Sequence, residues 1–124
     1  MMNETQFNKK VEQFLKDEGI WYVKYWAGIA RDGNNYTKSG IPDVIACVHG
    51  HFFGIELKVH PNKPTKLQEY NIRKIEESDG IAMVLYPEDF ETFKNLCRKI
   101  VPTVKTESKR FPIDIQKPSN KERK

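Results

Sequence analysis

The sequence predicts an α/β domain with a mixed β-sheet flanked by helices, in the order α-β-β-β-α-β-α. Three observations carry that expectation. Apolar residues recur at helical spacing near both ends of residues 1–100. Two adjoining apolar runs are separated by His49-Gly50, a spacer suited to a hairpin. A continuous apolar run then follows a second capped helix and leads into a third, which is one βα unit added to an antiparallel start.

The first helix begins at Asn3, whose side chain and that of Gln6 have capping-box spacing. Phe7, Val11, Phe14 and Leu15 form its apolar stripe, and Gly19 closes it. Ile20 to Trp26 is aromatic and β-branched, hence a strand. Gly28 to Gly40 reads as a long exposed loop, at the edge of what a small domain carries without a functional reason. Ile41–Val48 and His51–Val59 are the hairpin strands. Pro61 and Pro64 break the chain, and Thr65 with Gln68 makes a second capping box for a helix through about Asp79, with Leu67, Ile72 and Ile75 as its stripe. Gly80 ends it, Ile81–Tyr86 is a buried-type strand, and Pro87 opens a last helix bearing Phe90, Phe93, Leu96, Cys97 and Ile100.

The chain has 124 residues, which suits one compact domain. With 38% hydrophobic and 31% charged residues and 14 aromatics its composition is globular, not fibrous or wholly disordered. No window has the uninterrupted apolar length of a membrane span, and the polar start lacks a signal-peptide core, so a cytoplasmic setting is expected (that of the host, for a phage-encoded protein). Cys47 and Cys97 are too few for a disulfide framework and are expected to be buried and inert. The net charge of +4 is unevenly placed: residues 1–100 carry 14 basic and 14 acidic residues, residues 101–124 seven and three. The expected organisation is therefore a domain over residues 1–100 and a basic, disordered tail over 101–124. Its Lys105, Lys109, Arg110, Lys117, Lys121, Arg123 and Lys124 suit a DNA backbone or simply a solubilising terminus.

The hairpin permits a geometric deduction. If His49 and Gly50 are the loop, partner numbers sum to 99, so Asp43 lies opposite Glu56, with Cβ atoms about 5 Å apart. Lys58 shares the face of Glu56, while Val44, Ala46, Val48, Phe53, Ile55 and Leu57 form the core face. Two opposed carboxylates repel unless a positive charge lies between them. A divalent cation, Mg²⁺ or Mn²⁺, would resolve the conflict through hard oxygen ligands, and a lysine two residues on points to metal-assisted phosphodiester hydrolysis.

On these residues the chain resembles a known family. Gly40-Ile-Pro-Asp-Val-Ile-Ala46 followed by Gly54-Ile-Glu-Leu-Lys58 is similar to the PD-(D/E)xK nuclease signature. Gln68 on the following helix and Glu4 on the first make it similar to the VRR-NUC branch, in particular to its small phage-type stand-alone members, over roughly residues 3–95. The resemblance implies a restriction-endonuclease-like core and a Mg²⁺-dependent, structure-selective DNA endonuclease, such as a homodimer that cleaves Holliday junctions. It implies that Asp43, Glu56 and the Leu57 carbonyl bind the metal, that Lys58 positions or activates water, and that Glu4 and Gln68 complete the site.

Each residue also has a plainer explanation. Asp43 suits a turn, and Glu56 and Lys58 a solvated strand face. An acidic residue at a helix start suits the macrodipole, and Glu12 competes with Glu4. Gln68 is accounted for by its capping box. Lys24 and Trp26 alternate toward the expected site, though Lys24 could instead snorkel over an edge strand. Lys38 and Ser39 before the signature, and Lys63 and Lys66 after it, are candidate phosphate contacts. His49, His51 and His60 lack ligand spacing. Two other functions stay open: a non-catalytic module that binds branched nucleic acid, and an RNA-directed or mobile-element hydrolase on the same core.

Overall fold

The computed structural model describes residues 2–25 and 40–103. The elements run α1 (Glu4–Asp17), β1 (Trp21–Lys24), β2 (Val44–Val48), β3 (His51–Leu57), α2 (Lys66–Glu77), β4 (Ile81–Leu85), a 3₁₀ turn (Pro87–Asp89) and α3 (Phe90–Lys99). One four-stranded sheet has the order β1-β2-β3-β4. Its first two pairings are antiparallel and the third is parallel. This is the mixed sheet expected, with the single crossover carried by α2.

Both capping boxes form. Asn3 Oδ1 accepts from the Gln6 N–H at 2.8 Å while Gln6 Oε1 accepts from the Asn3 N–H at 2.9 Å. Thr65 and Gln68 repeat the exchange at 3.1 and 2.8 Å. The hairpin turn has φ of 50° at His49 and 88° at Gly50, the two positive values that a type I′ turn requires. Partner numbers run from Val44↔Ile55 to Val48↔His51, the register deduced from the two-residue loop.

The sheet separates two environments. On one face Val44, Ala46, Val48, Phe53, Ile55 and Leu57 are essentially sealed, packed with Phe7, Val11, Phe14 and Leu15 of α1 and Phe93 and Cys97 of α3. Edge-to-face rings lock this core: Phe14 and Phe93 lie 6.0 Å apart, Phe53 and Phe93 6.4 Å. Each sealed Phe, Leu or Ile contributes about 1.5–3 kcal/mol relative to exposure. Burial also pushes the Cys97 thiol up to about 12, so it stays protonated.

The other face belongs to α2, which approaches β3 through glycines. A Cβ on Gly54 would meet Ile75 Cδ1 at 2.9 Å and Pro42 Cγ at 3.2 Å. Gly54→Ala is accordingly expected to force the Ile75 side chain and the Pro42 ring to shift and to destabilise the fold by about 1–3 kcal/mol in urea unfolding.

Several expectations need correction. Cys47 is exposed, not buried, because α2 packs on β3 and β4 and leaves this part of the sheet uncovered. The left-handed residue after α2 is Asp79, φ 69°, while Gly80 is needed for space, since a Cβ there would lie 2.7 Å from Ile75 Cγ2. The stripes of α2 and α3 are narrower than expected: Leu67 and Leu96 are exposed, and Asn71 is the buried residue of α2. Pro87 starts a 3₁₀ turn before α3 proper. The strands are shorter than the apolar runs, with β1 ending at Lys24, β2 starting at Val44 and β3 ending at Leu57. Residues 101–103 lie against the hairpin: the Thr103 N–H donates to His49 O at 3.0 Å, and His51 Nε2 is 2.7 Å from Val101 O. Among the described residues no helix is long and apolar enough to cross a membrane. Trp26, the expected Gly28–Gly40 loop up to Ser39, and residues 104–124 lie outside the described residues.

Candidate active site

The lead into β2 explains where Asp43 sits. Gly40 has φ 81°, and a Cβ there would lie 2.7 Å from Leu67 Cγ and 2.8 Å from Asn71 Nδ2. Only glycine lets the chain pass this close to α2. Pro42 is buried beside Gly54 and has no N–H for the ladder. The β2–β3 ladder therefore ends at Val44↔Ile55, and Asp43 bends out of the strand as the two chains part. Its backbone still serves the other neighbour, accepting from the Tyr25 N–H at 2.6 Å.

At this open end the side chain of Asp43 takes over a backbone duty. Its Oδ2 accepts the Leu57 N–H at 2.9 Å, a donor that the terminated ladder would otherwise leave unpaired. Glu56 stands beside it, only 2% exposed. Glu56 Oε2 accepts from Gln68 Nε2 at 3.0 Å and lies 3.6 Å from Lys58 Nζ. Glu56 Oε1 is buried with no hydrogen-bond partner. Burial first, and then the charge of Asp43, push the Glu56 carboxyl up to about 7, against the pull of the Lys58 ammonium.

Gln68 shows how capping and site coexist. Its Oε1 is committed to the Thr65 N–H, so its amide group faces Glu56 without ambiguity. One side chain thus ties the start of α2 to the end of β3. The plain capping explanation and the site explanation are both realised in it.

The structure brings Asp43, Glu56, Leu57, Lys58 and Gln68 together. Glu4 is the first residue of α1, and its carbonyl accepts from Asn8 Nδ2 at 2.8 Å. Glu12 accepts from the Tyr22 hydroxyl at 3.0 Å; burial first, then Glu12, raises the Tyr22 pKa. Among the described residues no group of three or more His, Cys, Asp and Glu side chains is placed to hold a metal. Lys24 does not face the pair. It is opposite Val44 in the register and therefore lies on the α1 face, where its Nζ bonds Asn8 Oδ1 at 2.9 Å. Lys63 and Lys66 are exposed, in the loop after β3 and at the first position of α2. Lys38 and Ser39 lie outside the described residues.

Sequence reasoning missed the Asn8–Lys24 and Tyr22–Glu12 contacts, although Tyr22 and Lys24 alternate on β1 as Asn8 and Glu12 repeat on α1. It also missed the contacts of His60, which stacks on Tyr86 at 4.2 Å, pairs with Glu88 and precedes Pro61 through a cis peptide. Comparison with protein-family models, with curated proteins and with solved structures finds no match.

Proposed function

We propose that the chain is a Mg²⁺- or Mn²⁺-dependent DNA endonuclease selective for branched substrates, with a restriction-endonuclease-like core of the PD-(D/E)xK superfamily and its VRR-NUC branch. The observation that carries this reading is Glu56: a sealed carboxylate with one orphaned oxygen, set beside a second carboxylate at the end of an opened ladder. Unpartnered buried acceptors are rare in proteins and call for an explanation. A hard divalent cation fits the donor set, held by Asp43, Glu56 and the Leu57 carbonyl. When bound, the ion supplies positive charge to the two carboxylates and to the phosphoryl oxygens of the reacting diester.

The chain's own residues have distinct parts. Gln68 fixes the rotamer of Glu56 by donating to Oε2. Asp43 keeps its position by accepting the Leu57 N–H. Lys58, with its side chain 14% exposed, presents an ammonium at the mouth of the site, where it orients water and offsets the charge that develops on the phosphate. Water adds to phosphorus, the bond to one sugar oxygen breaks, and the water proton ends on that leaving oxygen.

Lys63 and Lys66 would hold backbone phosphates beside the site. A homodimer would supply the two sites that paired cuts in a four-way junction need. The setting would be the cytoplasm, the host's for a phage-encoded chain.

The test is cleavage of an immobile four-way junction with Mg²⁺. The wild type should cut, and Asp43→Ala and Lys58→Ala should each lose about 10³-fold or more in rate. Equal rates in all three would sink the reading. Junction binding that survives EDTA, with no cut under any divalent ion, would replace it by a non-catalytic binding module.

A further inference from the structure

The loop after β3 carries a second built feature, which the proposed chemistry leaves unused. Residues 58–66 hold Lys58, His60, Lys63 and Lys66 and no acidic residue. His60 lies flat on Tyr86, with ring centroids 4.2 Å apart and planes within 14° of parallel. Both rings are fastened at their polar ends. The Tyr86 hydroxyl donates to Asn62 O at 2.8 Å, and His60 Nε2 donates to the Glu88 carboxylate. The Asn62 N–H closes the loop on Val59 O at 2.9 Å. Yet the His60 side chain stays 60% exposed. With Tyr86 against one face and Glu88 at one edge, that exposure falls mostly on the other face of the imidazole. A hollow of about 130 Å³ adjoins it, walled by Met2, Val59, Pro87 and Glu88.

The sheet sets where this stack stands. β4 runs parallel to β3 with Leu57 opposite Leu85, and the Lys58 N–H donates to Leu85 O at 3.0 Å. Tyr86 therefore comes beside Lys58, and the Cα of His60, two residues on, is at most about 7 Å from that of Lys58. That is about two steps of a stacked nucleic-acid strand. We infer that the outer face of His60 is a stacking platform for one unpaired base of the DNA, next to the phosphate that Lys58 meets. Every base offers a π face, so an aromatic ring among cations grips a strand whatever its sequence. A base inside a duplex cannot use the platform, because its two faces already stack on its neighbours. Two hydrogen bonds hold the rings in place beforehand, so little freedom is lost when a base lands on them. Glu88 is engaged by His60 Nε2, and Lys58, Lys63 and Lys66 supply positive charge for the phosphates. The inference rests on the nuclease reading and gives its preference for branched substrates a physical cause: a nucleotide left unpaired beside the cut.

The test is binding of the full chain to DNA in EDTA, where cleavage does not enter. Fluorescence anisotropy would compare a duplex with one unpaired thymine, the same duplex with an abasic site in its place, and the fully paired duplex. The wild type should bind the unpaired thymine at least about 10-fold more tightly than the abasic bulge, although both present the same backbone charge. His60→Ala should remove that difference. His60→Phe should restore it, since stacking needs a ring and not the imidazole nitrogens. The paired duplex should bind wild type and both variants alike. Equal affinity of the wild type for the thymine and abasic bulges would overturn the inference, and this comparison needs no variant to fold. A loss in His60→Ala of the same size on both bulges would overturn it as well. Base preference without any cut under Mg²⁺ would sink the nuclease reading alone, and junction cleavage by a wild type that shows no base preference would sink this inference alone.

Discussion

Glu56→Gln is expected to inactivate the protein and, in the absence of divalent ions, to stabilise it. The two effects have one cause. The Glu56 carboxyl titrates at about 7 in the fold, against 4.5 for an ordinary glutamate, because it is buried and faces Asp43. The folded state therefore binds more protons than the unfolded state between those values. By linkage, folding stability falls as pH rises through that window, by an amount on the order of 3 kcal/mol if Glu56 acts alone. The wild type without metal should thus be most stable below pH 4.5 as far as this group decides, with the loss complete above about 7. Gln at this position keeps an acceptor for Gln68 and removes the charge, so the variant should lack that slope and unfold at higher urea at pH 8. Mg²⁺ should raise the melting temperature of the wild type at pH 8 and leave Glu56→Gln unmoved. Cleavage should fall about 10³-fold or more in the variant. A variant less stable than the wild type at pH 8 would mean that the carboxylate is held by structure alone. The opposite pairing, stability gained and function lost, is the usual mark of a group retained for its chemistry.

Such a site was legible only where the physics is local. The hairpin could be read because a two-residue turn fixes register by arithmetic, and His49-Gly50 supplies the two positive φ values that the turn needs. The shared face of Glu56 and Lys58 followed from alternation on one strand, and the place of Gln68 at the start of α2 from a capping box that depends on four consecutive residues, whereas its place in the site came from the resemblance alone. Lys24 could not be placed in the same way. Its face is set by the register of β1 against β2, elements separated by 19 residues of sequence. No local signal reports a pairing over that distance. Cys47 shows a second limit. It was expected to be buried, yet whether its face of the sheet is covered depends on where α2 lands, which is a tertiary outcome. Asp43 shows a third. Its carboxylate was expected from the motif, but its bond to the Leu57 N–H appears only once Pro42 is seen to end the ladder one residue early.

That bond gives Asp43 two separable duties, and two substitutions should divide them. Asp43→Asn keeps a side-chain oxygen for the Leu57 N–H and removes the negative charge. Asp43→Ala removes both, leaving a backbone donor unpaired next to a fully buried residue. An orphaned buried donor costs about 1–3 kcal/mol, whereas the loss of one charge from a repelling pair is favourable. Asp43→Asn should therefore match or exceed the wild type in urea unfolding at pH 8 without metal, and Asp43→Ala should fall below Asp43→Asn by about that 1–3 kcal/mol. Both should lose the stabilisation by Mg²⁺ and about 10³-fold or more in junction cleavage. In both, Glu56 should titrate closer to its ordinary range, because the second cause of its raised pKa is gone. Equal stability of the two variants would show that the Leu57 N–H finds another partner, and that Asp43 serves the site by its charge alone. Retained cleavage in Asp43→Asn would show that an amide oxygen suffices, and would remove the carboxylate pair as the basis of the proposed chemistry.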